Sequence, residues 1–448
     1  MLGRGAQTTR VVTFGLCVAA GAAVVGCNRT PTSSEAQLAE RSSARSLDGP
    51  TTTVKPNLRV RPTPGSQSDS SSNQTPGTSK SPSSSNNSGS NSGSKKNSGS
   101  NKNSGSGGSS GGGSNNNSGS NNNSGKSPSS STSSSGNPLF GIHNDIMLQT
   151  HAERVASIEK SKSLHAKIIR TSLKWNDVEG SKGSLNWSGP DGALADLASS
   201  GIAVLTTLWG SPAWATGSSD QVYVPTGSSQ FSAWVSAYAT FAKAAAARYK
   251  GRVKYYELWN EENIKDCWHP RPNVSQYVAW YNAVYAAIKA ADPGAQVGMG
   301  GVTNLSAGNA EDINGKAFLA DLYSKGVYPD AVVIHAYSPS GNGPTQSLQW
   351  QNNFSDISGI HSIMDSHGQG DKQLWVTEWG WRASQVGETD QATYTSQALN
   401  LIASTYRYVT LSTVFMQEDL DGYSFGLYRS NGSQRPAGSK FQSFAGSH

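Results

Sequence analysis

After residue 136 the sequence alternates short apolar runs with amphipathic helical stretches, a pattern that few folds can accommodate. Stretches with apolar residues spaced by three and four cover residues 231–249, 275–291 and 392–406. Between such stretches lie eight runs with the length and composition of β-strands: residues 139–142, 167–172, 202–208, 253–258, 296–300, 331–336, 373–377 and 409–415. This alternation in about 312 residues predicts an α/β fold, a (β/α)8 TIM barrel.

A doubly wound open sheet is the alternative fold for the same alternation. In that fold a glycine-rich loop that binds phosphate commonly follows the first strand. Here residues 140–145 read Phe-Gly-Ile-His-Asn-Asp, which lacks this fingerprint. We therefore expect the closed barrel.

The first 136 residues have a different composition from the rest of the chain. All 12 Trp and all 16 Tyr lie after Gly136, and residues 65–135 are mainly Ser, Asn and Gly. Such a segment has too little apolar surface to offset the entropy of ordering it. We therefore predict that residues 28–136 form a disordered linker, which would act as a tether, and that residues 137–448 form the folded domain.

Residues 1–27 have the pattern of a bacterial secretory signal. Two arginines precede an apolar run, residues 11–26, that is too short for a comfortable transmembrane helix. Residues 24–27 (Val-Val-Gly-Cys) resemble a lipobox, in which the cysteine is acylated; an ordinary signal cut a few residues earlier is the alternative. We predict a lipoprotein signal peptide over residues 1–27 and lipidation of Cys27. The protein would then be extracytoplasmic and lipid-anchored to the bacterial cell membrane.

The net charge divides at the same boundary. The chain has 13 Lys and Arg against 4 Asp and Glu before Asn137, and 23 against 26 from Asn137 onward. The overall charge of +6 therefore comes from the tail, where it is diluted and lacks interleaved aromatic residues. We expect no nucleic-acid partner.

Cysteine and histidine spacing gives no sign of a metal site. Cys267 is the only cysteine of the predicted domain, which excludes an internal disulfide there, and we interpret it as a packed or loop thiol. Neither Cys267-Trp268-His269 nor the separation of His335 from His361 has metal-ligand spacing. We expect no metal and no other cofactor.

In a (β/α)8 barrel, chemistry takes place at the carboxyl ends of the strands. Flat aromatic faces beside hydrogen-bonding groups suit sugar rings, which present C–H faces and hydroxyl edges. The predicted strand ends are rich in such groups: His143, Asn144, Asp145, Arg170, Trp209, Trp214, Asn260, Glu261, Glu262, His335, Tyr337, Glu378, Trp379, Gln417, Glu418 and Asp419. They predict a carbohydrate-binding site, in which Trp209, Trp214 and Trp379 fit either a sugar platform or the core.

Two glutamates of that set could cleave a glycosidic bond. Glu261 ends strand 4 and Glu378 ends strand 7, so their side chains can face one another across the barrel mouth. Glycosidic cleavage needs one carboxylic acid that protonates the departing oxygen and one carboxylate that attacks or activates water. Glu262 is the alternative acid, although the preceding asparagine fits only Glu261. Glu257 has the strand parity of a buried, paired carboxylate below the site.

The motifs around these glutamates carry a family resemblance. Trp259-Asn260-Glu261 resembles the Asn-Glu signature of the large (β/α)8 clan A of retaining glycoside hydrolases, and Thr377-Glu378-Trp379 resembles its strand-7 nucleophile motif. Within the clan the chain is most similar to families 39 and 5 (cellulase/xylosidase-like), over nearly the whole folded part. Two positions depart from the clan: Glu262 replaces the usual proline, and Phe415 or Met416 replaces the tryptophan that often ends strand 8.

The resemblance implies a role for each matching residue. Glu261 would be the general acid/base and Glu378 the nucleophile. Asn260 would bind the 2-hydroxyl of the sugar, and Arg170 and Tyr337 would hydrogen-bond Glu378. The subsite for the sugar undergoing cleavage would be lined by His335 and His143.

These observations predict a retaining glycoside hydrolase that cleaves β-linked or equivalent bonds of a poly- or oligosaccharide by double displacement. The carboxyl groups should then lie about 5–5.5 Å apart, against roughly 6.5–9.5 Å in an inverting enzyme. Long Ser/Gly-rich stretches at residues 211–230 and 338–351 favour endo action. A transglycosylase and a catalytically silent carbohydrate-binding barrel are the alternatives. A monomer is the expected state, with a carbohydrate substrate and the membrane as partners.

Overall fold

The computed structural model describes residues 138–303, 310–338, 341–347, 353–420 and 422–448. The predicted signal peptide with Cys27 and the predicted linker lie outside these residues and stay predictions. Within the described ranges, no helix combines the length and the apolar character needed to span a lipid bilayer.

Eight parallel strands close into a barrel in sequence order, with the first strand paired to the last. The strands are β1 Leu139–His143, β2 Ile168–Lys174, β3 Ala203–Trp209, β4 Tyr255–Asn260, β5 Gln296–Thr303, β6 Ala331–His335, β7 Gln373–Glu378 and β8 Val409–Val414. Each overlaps a strand predicted from the sequence. The (β/α)8 TIM barrel is therefore confirmed.

Helices occupy the connections between the strands. They are α1 His151–Ser163, α2 Trp175–Val178, α3 Ser188–Ala198, α4 Ala213–Thr216, α5 Ser228–Tyr249, α6 Val274–Ala291, α7 Gly315–Ser324, α8 Asp356–Ser366, α9 Ala383–Val386, α10 Glu388–Ser404 and α11 Pro436–Ala445. The apolar periodicity of residues 231–249, 275–291 and 392–406 thus predicted α5, α6 and α10 correctly. One apolar face of each buries against the core, as in α6, whose buried residues recur at helical spacing.

A cluster of tryptophans joins α5 and α6 to the loop that follows β4. The rings of Trp234 and Trp280 stack with centroids 6.2 Å apart. Trp259, at the end of β4, meets Trp280 edge to face at 5.5 Å and Trp268 at 5.1 Å. All four side chains are almost fully buried. Aromatic rings in these arrangements add attraction beyond their buried area, so the cluster fixes the loop after β4 in place.

Strand register determines which side chains reach the barrel mouth together. His143 of β1 pairs with Arg170 of β2, and His335 of β6 pairs with Glu378 of β7. Parallel strands of a barrel present their carboxyl ends at one face. The polar residues at these ends therefore stand at a common level and form the site described next.

Candidate active site

The backbone after β4 adopts a conformation that L-residues seldom take. Trp259 and Glu261 both have positive φ angles, 77° and 49°. Such residues cost of order 1–3 kcal/mol each and persist only where the surroundings hold them. Here the indole N–H of Trp259 donates to the carbonyl of Cys267 at 2.7 Å, and Asn263 donates to the carbonyl of Thr303 at 2.7 Å. These contacts fix the turn that aims Glu261 into the barrel.

Two consecutive glycines of β5 make room for side chains on opposite faces of the barrel wall. A Cβ on Gly301 would lie 2.0 Å from Nε2 of His335, and one on Gly300 would lie 1.9 Å from Oε2 of Glu262. Successive residues of a strand point to opposite faces. His335 therefore lies with the polar groups at the mouth, whereas Glu262 lies on the other face, towards α6.

Arg170 is the centre of the polar cluster. Its Nε and Nη2 donate to the two oxygens of Glu257 at 2.8 and 2.9 Å, which is a bidentate ion pair. Nη2 also donates to Oδ1 of Asn260 at 2.9 Å. Nη1 donates to Oε1 of Glu378 at 2.6 Å and to Nδ1 of His143 at 2.9 Å. A fully buried guanidinium thus has a partner on each nitrogen.

Glu378 is held at both carboxylate oxygens. Oε1 accepts from Arg170, and Oε2 accepts from the hydroxyl of Tyr337 at 2.9 Å. Nδ1 of His335 lies 3.7 Å from the same Oε2. These hydrogen bonds to both oxygens fix the orientation of the Glu378 carboxylate.

Glu261 has different neighbours. Its Oε1 lies 2.9 Å from Nδ1 of His335, and its Oε2 lies 3.8 Å from the Sγ of Cys267, a weak donor. Burial raises the pKa of Glu261 above its ordinary value, the imidazole of His335 opposes this rise, and the negative charge of Glu378 adds to it. Glu261 is thus the member of the pair that is disposed to carry a proton.

Two further groups at the site have shifted pKa values: that of Glu257 is lowered and that of His335 is raised. Burial alone would raise the pKa of Glu257, but the charge of Arg170 and the hydrogen bonds of His335 and Arg170 lower it to about 2. Burial alone would lower the pKa of His335, but the charge of Glu378 and hydrogen bonds to Glu257 and Glu261 raise it to about 10. At neutral pH the cluster therefore contains an anionic Glu257 and a cationic His335.

Glu261 and Glu378 approach each other closely. One oxygen of each, together with a nitrogen of His335, lie within 4.8 Å of one another. Three such ligands could geometrically hold a metal ion. However, the guanidinium of Arg170 already neutralises Glu378 and His335 is itself cationic, so a further cation would meet repulsion.

The structure brings together Glu261, Glu378, Asn260, Arg170, His335, Tyr337 and His143, the polar residues of the sequence-based site. Phe415, one of the two residues predicted to replace the tryptophan of the clan, has its ring centroid 5.1 Å from that of His143. The roles of these residues in binding and catalysis stay predictions. Their common location follows from the strand ends on which they lie.

The three tryptophans of the predicted site have other neighbours. Trp379 is fully buried, its Nε1 donates to Oγ of Ser412 at 2.8 Å, and its ring packs against Phe354. Of the two predicted roles, core residue or sugar platform, these contacts fit a core residue. Trp214 is half-buried and donates to the carbonyl of Glu179 at 2.8 Å. Trp209 is buried at the end of β3. A sugar platform made by Trp379 would require its ring to leave the core.

Glu262, the alternative acid, is separated from the cluster. Its two carboxyl oxygens are buried and have no hydrogen-bond partner among the described residues. The nearby hydroxyl of Tyr277 is already engaged, since it donates to the carbonyl of Leu258 at 3.0 Å and accepts from the amide of Gly300 at 2.8 Å. Burial raises the pKa of Glu262 to about 8. At neutral pH it is therefore protonated, and it lies on the face of the wall opposite to the one that carries the polar cluster.

Sequence reasoning missed the contact between Cys267 and Glu261. Cys267 lies in a short 3-10 turn, Lys265–Cys267, and its thiol is fully buried beside the carboxyl group. Five residues, 262–266, separate the two positions in the chain. Their proximity depends on the left-handed turn, which no periodicity or motif encodes.

Residues 175–442, more than half of the chain, match the sequence model of glycosyl hydrolases family 39. The chain belongs to glycosyl hydrolases family 39. This confirms the resemblance inferred from the Asn-Glu and Thr-Glu-Trp motifs. No curated protein matches this family 39 chain significantly.

Solved structures with the same fold include members of families 39 and 5. A family 39 glycoside hydrolase from the gut symbiont Bacteroides cellulosilyticus WH2 has a TM-score of 0.56 and 21% identity, with 69% of this chain and 64% of that chain covered. A monomeric β-xylosidase from Caulobacter crescentus CB15 has a TM-score of 0.52 and 16% identity, covering 68% of this chain and 67% of that one. A GH5_18 protein from Streptomyces cattleya, solved with Manβ1-4GlcNAc, has a TM-score of 0.53 and 15% identity, covering 69% and 80%. The family 39 chain therefore spans less than two thirds of the first of these structures.

The buried Glu262 predicts a specific dependence of stability on pH. A carboxyl group with a pKa of about 8 in the folded state and 4.5 as its ordinary value retains its proton in the folded state while the unfolded state has lost it. The free energy of unfolding should therefore fall as pH rises from about 4.5 to about 8, by up to about 1.4 kcal/mol per pH unit. Glu262→Gln should remove this contribution, which urea unfolding at a series of pH values measures.

The exposed Glu159 provides the matched control for this comparison. Glu159→Gln should leave the pH slope of the wild type in place. Equal slopes for the wild type and Glu262→Gln between pH 5 and pH 8 would show that Glu262 ionises in the folded protein as an ordinary carboxylate does.

Proposed function

We propose that this chain is a retaining glycoside hydrolase that cleaves β-linked or geometrically equivalent glycosides by double displacement. Family membership and the approach of one oxygen of Glu261 to one of Glu378 within 4.8 Å support this proposal. Carboxyl groups of an inverting enzyme stand roughly 6.5–9.5 Å apart to admit a water molecule between them and the sugar. The shorter approach leaves room for direct attack by a carboxylate.

In the first step Glu378 attacks the anomeric carbon of the sugar. A bond forms between its oxygen and that carbon as the bond to the departing oxygen breaks, which gives a covalent glycosyl-enzyme. Arg170 and Tyr337 hold the carboxylate by hydrogen bonds of 2.6 and 2.9 Å. These donors orient the carboxylate towards the anomeric carbon.

Glu261 acts in both steps. It first donates its proton to the departing oxygen, for which the raised pKa of its buried carboxyl group is suited. In the second step the carboxylate removes a proton from a water molecule, whose oxygen attacks the anomeric carbon and releases Glu378. Its pKa is lowest when Glu378 is neutralised as the ester, because the like charge of Glu378 then no longer raises it.

Asn260 is placed to recognise the sugar next to the reacting carbon. Its Oδ1 accepts from Arg170 at 2.9 Å, which fixes the orientation of the amide, and its Nδ2 donates to Sγ of Cys267 at 4.0 Å. The second hydrogen on Nδ2 is then the donor for a ligand. A donor at this position can bind the 2-hydroxyl, an interaction that strengthens in the transition state.

Endo action on a polysaccharide is part of the proposal. It is supported by the length and Ser/Gly-rich composition of residues 211–230 and 338–351, which follow β3 and β6 and suit the walls of an open cleft. We further propose that the domain is displayed at the cell surface through the lipid at Cys27. A transglycosylase would use the same residues and would differ in the acceptor that reaches the glycosyl-enzyme.

Removal of each glutamate should have a distinct chemical consequence. Glu378→Ala and Glu261→Ala should each lower kcat by about 10⁴-fold or more on a glycoside with a poor leaving group. Added azide can occupy the space of either carboxylate. In Glu378→Ala it should give a glycosyl azide of inverted configuration, and in Glu261→Ala a glycosyl azide of retained configuration, as product analysis would show.

Glu262→Gln is the matched control, since it changes the adjacent glutamate on the opposite face of the wall. It should retain kcat within about threefold at pH 6, where Glu262 is protonated. Retained turnover in either alanine variant, or the opposite assignment of the two azides, would contradict the roles given to Glu261 and Glu378.

The cationic His335 should influence the pH profile through Glu261. Its charge and hydrogen bond lower the pKa of Glu261, so their loss raises it. In His335→Asn the alkaline limb of kcat/KM should therefore move to higher pH, because the acid keeps its proton to higher pH. A limb that stays in place or moves to lower pH would show that another group sets it.

A further inference from the structure

A second polar cavity lies beside the catalytic cluster. Its volume is about 140 Å³, and it opens between the segment that follows β1 and the segment that follows β8. A water molecule occupies roughly 30 Å³ in the liquid, so the cavity has room for several water molecules or for a group about as large as one sugar ring. The side chains that line it include Asn144, Asp145, Gln149, Ser157, Gln417 and Glu418.

The amide side chains of this wall are held by one another. Asn144 donates to Oε1 of Gln417 at 2.9 Å, and Gln149 donates to Oδ1 of Asn144 at 3.4 Å. The hydroxyl of Ser161 also donates to Oε1 of Gln417, at 2.8 Å, and helps to fix this amide. Each amide nitrogen carries two hydrogens. The network thus orients the amides while leaving donors that can face the cavity, as a site for hydroxyl groups requires.

His143 separates the cavity from the catalytic cluster and contacts both. Its Nδ1 accepts from the guanidinium of Arg170 at 2.9 Å, and a guanidinium can only donate. The hydrogen of the neutral imidazole is therefore on Nε2, which faces Asp145 at 3.8 Å in the cavity wall. Arg170 also donates to Glu378, so the two hydrogen bonds His143–Arg170 and Arg170–Glu378 connect the cavity wall to the proposed nucleophile.

The cavity lies on the side of the barrel that faces away from the proposed acid. In the closed strand order, β8 is four strands from β4, which carries Glu261 at its end. Glu261 protonates the departing oxygen, so the leaving part of the substrate lies on its side of the mouth. A group in the cavity between β1 and β8 belongs instead to the part that becomes attached to Glu378.

The charges at the cavity select the kind of sugar that fits. Burial alone would raise the pKa of Asp145, but the contact with His143, the charge of Lys174 and the hydrogen bond from the backbone N–H of Ser172 at 2.7 Å lower it, so the group is ionised. Glu418 lies on the same wall and pairs with Lys160, and Asp419 pairs with Arg435 at 2.6 Å. Carboxylates accept hydrogen bonds from hydroxyls and attract ammonium groups. They repel the carboxylate of a uronic acid bound in the cavity.

We propose that this cavity is a subsite for a second sugar residue, attached on the non-reducing side of the sugar that Glu378 attacks, and that it accepts neutral or amino sugars and rejects uronic acids. This inference rests on the proposed function and extends it. It means that the enzyme retains at least two sugar residues during the glycosyl-enzyme stage. A substrate with only one sugar residue on that side leaves the cavity empty and makes no hydrogen bonds to its wall.

Paired aryl glycosides test the subsite directly. The 4-nitrophenyl β-glycosides of glucose, xylose, mannose and galactose would be compared with those of their β-1,4-linked disaccharides. For the best sugar of this panel, kcat/KM should be at least tenfold higher for the disaccharide. A disaccharide glycoside that ends in glucuronic acid should lose this advantage.

Ser157→Phe fills the cavity from α1 and should reduce the disaccharide advantage to less than about twofold. Ala156→Phe adds the same bulk at the neighbouring exposed position of α1 and should preserve it. Equal kcat/KM for mono- and disaccharide glycosides, or an advantage that survives Ser157→Phe, would overturn the subsite.

Failure of the subsite and failure of the proposed function give different results. If no glycoside of the panel were turned over, the hydrolase would be contradicted, and calorimetric binding of the four disaccharides would then test the cavity. Binding at least tenfold weaker in Ser157→Phe than in Ala156→Phe would support the subsite. Equal binding in the two variants, or none in either, would overturn it.

Discussion

The guanidinium of Arg170 joins side chains from three other strands at one level of the barrel. It donates to Glu257 and Asn260 of β4, to Glu378 of β7, and to the imidazole of His143 on β1. A buried cation without these partners would be costly, and removal of one partner would leave the others with an uncompensated charge. The orientation of the proposed nucleophile therefore depends on this residue.

The end of β4 and the residues just after it have unusual local structure. Trp259 and Glu261 have left-handed backbone conformations, and Glu262 is a buried acid whose oxygens lack partners among the described residues. Departures of this kind concentrate at functional sites, where packing elsewhere compensates for them. Here the tryptophans around Trp280 supply that packing. The same turn that strains the backbone gives Glu261 an environment unlike that of Glu378.

The sequence predicted the barrel and the two glutamates because each strand has an apolar pattern and each glutamate directly follows one. It predicted the surroundings of the glutamates less well. The imidazole of His335 occupies space that a side chain at position 301 would fill, so its position depends on Gly301. The contact of Cys267 with Glu261 depends on a left-handed turn. Trp379 follows a strand as a sugar platform would, yet its ring turns into the core. Such details depend on side-chain direction and tertiary packing, which strand position alone does not determine.

Direct attack by Glu378 requires that Glu261 and Glu378 converge on one glycosidic bond. The anomeric configuration of the first sugar released, followed by proton NMR before mutarotation, is the measurement that tests this convergence. A β-glycoside should give the β-anomer first, because two displacements at one carbon restore its configuration. Initial release of the α-anomer would mean a single displacement by water and would contradict direct attack by Glu378.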